Sequence, residues 1–121
     1  MVTVSSHILD TISGVSAVGI RVQLFRLSGH QRDLLFDVYA SDEGRIIETV
    51  DPYDTDIDTA SKYEYELIFH GADYFSTQPC PAESNSYMKV VVLRFSMPDP
   101  DKRYHMPIML SPHSYSVWWS S

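Results

Sequence analysis

Apolar and polar residues alternate along much of the chain. In Ile20-Arg21-Val22-Gln23-Leu24 the apolar side chains fall on one face and the polar ones on the other, the mark of a half-buried strand. Residues 62–67 repeat the device, with Tyr63, Tyr65 and Leu67 opposite Lys62, Glu64 and Glu66. The run 88–95 contains Val90, Val91 and Val92 and predicts a strand with both faces partly covered. Two more strands are expected at 104–110 and 115–119, and weaker patterns mark 2–9, 34–39 and 45–49. Turn formers separate these runs: Ser13-Gly14, Ser28-Gly29, Asp42-Glu43-Gly44, Asp51-Pro52, Pro98-Asp99-Pro100 and Ser111-Pro112. Only 71–77 suggests a helix, of a couple of turns. Eight short strands and one short helix make an all-β domain, a sandwich in preference to a barrel.

The 121 residues suit a single domain, 1–121, with one core. A formal net charge of -7 argues against nucleic-acid and anionic-membrane partners, which need a basic face. Several aspartates fall between Asp51 and Asp58, beside Pro52, but lack the glycine and closing glutamate of an EF-hand loop; a solvated loop is expected instead. Cys80, the one cysteine, lies between Pro79 and Pro81 and can form no intrachain disulfide. With no basic-then-apolar leader and no span of membrane length, the expected location is cytoplasmic.

Histidines stand at 7, 30, 70, 105 and 113, and none forms a local metal-binding pair. Most are expected on the surface or in loops. His7 and His105 differ, because each lies in an expected strand among apolar neighbours, Ile8 and Leu9 or Tyr104 and Met106. A buried histidine must find a hydrogen bond or shift its pKa, which is what catalytic sites exploit. Arg45 enters a strand just after Gly44, and its plain expectation is a solvent-facing charge. No Gly-x-Ser-x-Gly elbow or phosphate-binding glycine loop is present. Two histidines and an arginine could perform acid–base work on a carbonyl, but pattern alone does not bring them together.

His7-Ile8-Leu9-Asp10-Thr11, with Gly14 and residues 17–19, resembles the opening strand and turn of the 5-hydroxyisourate hydrolases. Asp42-Glu43-Gly44-Arg45 is similar to their acidic-Gly-Arg turn, and Phe69-His70-Gly71-Ala72-Asp73-Tyr74-Phe75 to their short helix. Tyr104-His105-Met106-Pro107, Leu110-Ser111-Pro112 and Ser114-Tyr115-Ser116 match the last two strands. The resemblance spans nearly the whole chain in order. It implies a transthyretin-like sandwich of two four-stranded sheets, a homotetramer built as a dimer of dimers, and active sites in the channel between dimers. It carries the catalytic roles onto His7, Arg45 and His105, with a small-molecule substrate and no metal or cofactor. The reaction it implies is hydrolysis of a cyclic amide of an oxidised purine. Ser111, Trp118, Trp119, Ser120 and Ser121 are expected to contact the substrate.

Two departures stand out. Where the family usually ends Tyr-Arg-Gly-Ser, this chain ends Trp118-Trp119-Ser120-Ser121, exchanging a cation for an apolar plate. Ser16 replaces the proline of the family's Gly-x-Pro-Ala turn, a change expected to stay within the loop. The tail leaves two alternatives beside the family reaction. One is a divergent paralogue using the same residues on a larger aromatic or lactam-type compound. The other is a transthyretin-like binder of aromatic ligands without catalysis, which would need neither the histidines nor the arginine.

Overall fold

The computed structural model describes residues 1–51, 63–78 and 88–120. Lys62, Cys80, Ser121 and the acidic run from Pro52 onward lie outside the described residues. The strands are β1 (Val2–Asp10), β2 (Val15–Ser16), β3 (Arg21–Ser28), β4 (Gln31–Tyr39), β5 (Arg45–Val50), β6 (Glu64–Phe69), β7 (Val91–Phe95), β8 (Arg103–His105), β9 (Ile108–Leu110) and β10 (Tyr115–Val117). Among the described residues there is one helix, α1 (Gly71–Ser76), which follows β6. All eight expected strands form.

One sheet is four-stranded, in the order β4-β3-β6-β7, and antiparallel throughout. Its β3–β4 hairpin turns on Gly29 and His30, with Gly29 at φ 60°, a conformation glycine adopts freely. The other sheet is organised around β1. The first part of β1 pairs with β5 on one side and, in parallel, with β8 on the other. Its last residues pair with β2 and β9, and β10 lies outside β9.

Eight expected strands become ten for two reasons. The first is the two-residue β2, which takes over from β5 at the end of β1. The second is a break in the expected strand 104–110. Its β8 and β9 parts keep one register against β1, Thr3 with Arg103 and Ile8 with Ile108. Pro107 falls between them and has no N–H to donate to the ladder. β8 and β9 therefore act as one interrupted strand.

Alternation along β1 sends Val2, Val4 and Ile8 into the core and Thr3, Ser5 and His7 to the outer face. The inward set meets Val22 and Leu24 of β3, Leu67 and Phe69 of β6, and Tyr104, Ile108 and Leu110. Each such side chain contributes about 1.5–3 kcal/mol when fully buried. Helix α1 adds Tyr74 and Phe75 to the core, and the Tyr74 hydroxyl donates to Asp10 Oδ2 at 2.9 Å. The valine-rich run differs from expectation. Val91 is buried, whereas Val92 is 42% exposed, because side chains alternate between the core and the outer face along β7; Val90, 40% exposed, precedes the strand.

Candidate active site

The outer face of the β1 sheet gathers the chemistry. His7 on β1 is paired directly with Arg45 at the start of β5. On the other flank, Ser5 is opposite His105 and Thr3 is opposite Arg103. Paired residues on neighbouring strands share a face, so Arg45, His7, His105 and Arg103 form one diagonal row across three strands. The chain is acidic as a whole, yet this patch is cationic.

Gly44 makes the first pairing possible. It sits at φ 70°, and its carbonyl accepts the Ile8 N–H at 2.8 Å. A Cβ there would lie 2.7 Å from the Ile8 carbonyl oxygen and 2.8 Å from Ser16 Cβ. Only glycine lets the turn close onto β1 and deliver Arg45 beside His7. The Arg45 side chain is 52% exposed, its Nε 3.8 Å from Glu43, which leaves its donors open to solvent.

Each histidine is held by a serine. His105 Nδ1 lies 2.8 Å from Ser5 Oγ, and Arg103 Nε donates to the same oxygen at 3.3 Å. His7 Nε2 lies 3.3 Å from Ser16 Oγ. Burial holds the His105 pKa below its ordinary value, reinforced by Arg103, Arg45 and His7 and opposed by hydrogen bonding to the Ser5 main chain. The ring is therefore neutral near pH 7.

The C-terminal segment runs beside β8 and β9. Ser120 and His105 exchange both main-chain hydrogen bonds, at 2.8 and 3.1 Å, and the Trp118 N–H donates to Pro107. This register puts Ser120 and Trp118 on the face of His105 and turns Trp119 the other way. Trp119 packs on Tyr104, ring centroids 5.4 Å apart, and with it lines a cavity of about 540 Å³ together with Phe95 and Met106. Ser111 is occupied elsewhere: its hydroxyl donates to the Ser114 carbonyl and accepts the N–H groups of His113 and Ser114 in the β9–β10 turn. Among the described residues, no group of three His, Cys, Asp or Glu side chains is arranged to hold a metal ion. Nor is any described helix long and apolar enough to cross a membrane.

A model of the HIUase/Transthyretin family matches residues 4–119. The chain belongs to that family. It is 33% identical to "5-hydroxyisourate hydrolase 2" of Rhizobium meliloti, over 97% of this chain and 94% of the relative. It is 35% identical to the 5-hydroxyisourate hydrolase of Deinococcus radiodurans, with the same shares covered. The crystal structure of (S)-allantoin synthase superposes with a TM-score of 0.80 at 27% identity, over 99% of this chain and 44% of that one.

Within this HIUase/Transthyretin domain, His7, Arg45 and His105 come together on one face, joined by Trp118 and Ser120. Trp119 and Ser111 are directed elsewhere. Two side chains at the site, Ser5 and Arg103, are not among the residues singled out from the sequence. Ser16 corrects an expectation, since its hydroxyl reaches His7 instead of remaining a loop feature. The spacing Arg103-Tyr104-His105, two residues apart in a strand, was a usable signal for the arginine.

Proposed function

We propose that this protein is a hydrolase that opens the cyclic amide of 5-hydroxyisourate by attack of water. The observation that carries this is the direct pairing of His7 with Arg45, with His105 on the other flank of β1 and the face open. A histidine can take a proton from water as the oxygen attacks the ring carbonyl. The Arg45 guanidinium, exposed at its strand entry, offers a planar set of donors that orients the oxygen-rich ring and stabilises the charge that develops on the carbonyl oxygen. The departing ring nitrogen is then protonated, and no cofactor is required. This reading is tested by following the decay of freshly generated 5-hydroxyisourate with and without the protein.

We also propose a cytoplasmic homotetramer, a dimer of dimers, with this face turned inward. Ile47, Met109 and Trp118 are 62%, 40% and 48% exposed on it, an apolar rim that a second copy would cover. A larger aromatic substrate is the second reading, favoured by Trp118 sharing the face of His105. On that reading Trp118→Tyr shifts preference toward 5-hydroxyisourate, and an unchanged preference counts against the tail as the selector.

A further inference from the structure

The Arg103, Ser5 and His105 side chains form a hydrogen-bonded chain, and its direction follows from what each group can do. An arginine Nε can only donate, so Ser5 Oγ accepts from Arg103. The Ser5 residue is 2% exposed, and its hydroxyl proton needs an acceptor of its own. The side-chain acceptor beside it is His105 Nδ1, at 2.8 Å. If Nδ1 receives the serine proton, the ring proton of His105 must be on Nε2.

We infer that Arg103 is a positioning residue that acts through Ser5 to fix His105 with its proton on Nε2. His105 then serves as a hydrogen-bond donor to the developing oxyanion, alongside Arg45, and His7 carries the proton. The inference rests on the hydrolase reading and deepens it. The step balances. Water adds to the ring carbonyl carbon and gives one proton to His7. His7 delivers that proton to the ring nitrogen as the C–N bond breaks, and the carbonyl carbon becomes a carboxyl group. His105 neither gains nor loses a proton, as befits a ring kept neutral among cations.

The charged and titratable groups around His105 agree with this, and the hydrogen bond to the Ser5 main chain is the one opposing contribution. Its own strand supplies Arg103, β1 supplies His7 and Ser5, and β5 supplies Arg45; all three charged or titratable neighbours disfavour the imidazolium. The C-terminal segment contributes main-chain bonds through Ser120, which fix the backbone of β8 and so the ring's origin.

The test is the ¹⁵N spectrum of the His105 ring in the unliganded protein at pH 7.5, together with kcat on 5-hydroxyisourate. The expected result is an Nε2–H tautomer in the native protein. In Arg103→Met the Ser5 oxygen is free to accept from Nδ1–H, so the tautomer shifts toward Nδ1–H. The accompanying fall in kcat should be roughly tenfold, smaller than loss of an oxyanion donor itself. Arg103→Lys, which still donates, should hold the native tautomer, and Ser5→Ala should lose it. An Nδ1–H tautomer in the native protein overturns the inference. So does an Arg103→Met variant that loses activity with the tautomer unmoved, which would make Arg103 a direct substrate contact. If the native protein leaves 5-hydroxyisourate untouched, the hydrolase reading fails, while the ring spectrum still reports independently on the Arg103–Ser5 chain.

Discussion

At the scale of single residues, the account depends on three side chains that arrive from three strands. Replacing His105 with alanine should lower kcat by about 10²–10³, the usual worth of one oxyanion donor, with the folded assembly intact by circular dichroism. Arg45→Lys keeps the charge but loses the planar set of donors, and should cost about 10- to 100-fold in kcat/KM. The pH dependence has a definite sign. Because the folded protein holds the His105 pKa below its unfolded value, it binds fewer protons there than the unfolded chain does. The stability linked to this ring is present above about pH 6.5 and falls as pH drops through that value toward the lower folded pKa. Melting temperatures between pH 7.5 and 5 should decline less steeply in His105→Gln than in the native protein. Strand setting and apolar neighbours made His7 and His105 legible in the sequence. Arg45 was not separable from an ordinary surface charge, because what distinguishes it is the register across β1 and β5. Ser5 is invisible for the same reason, since its partners lie about a hundred positions away, whereas the two-residue spacing of Arg103 and His105 already puts the arginine on the histidine's face.

At the scale of elements, the decisive feature is the turn into β5. Gly44→Ala combines an unfavourable φ with a 2.7 Å approach to the Ile8 carbonyl, and should cost about 1–3 kcal/mol, read from denaturant midpoints. It should also reduce activity, because the turn carries Arg45. The acidic-Gly-Arg sequence announced a turn. That the glycine packs against β1 and Ser16 could be seen only once the strands were paired. The tail shows the same limit from the other side. Alternation in a strand sends Trp118 and Trp119 to opposite faces, a parity the sequence permits but cannot orient. Trp119→Arg should therefore lose about 1 kcal/mol of stability through its contact with Tyr104 and leave KM nearly unchanged. Comparing the denaturation midpoint with KM for that one variant checks the assignment of faces. The break at Met106-Pro107 was hidden by the apolar pattern, which runs on across it, although the proline was in plain view.

At the scale of the whole molecule, the sandwich was legible because period-two alternation and turn residues agree along the chain, and the structure and the family match agree with them. The assembly is a different matter, since no pattern in one chain marks which exposed apolar residues a second copy covers. Light scattering should give a mass four times the 13.8 kDa chain. Replacing Ile47 with glutamate should split the particle and lower activity together, if the site is completed between copies. Whether the His7, Arg45 and His105 face hydrolyses 5-hydroxyisourate is read from the substrate's own decay. Freshly generated 5-hydroxyisourate is mixed with the native protein and with His105→Ala, and its absorbance decay is recorded. The account predicts accelerated decay with the native protein and decay near the uncatalysed rate with the variant. Uncatalysed decay with correctly folded native protein, or equal acceleration by the two, would contradict it.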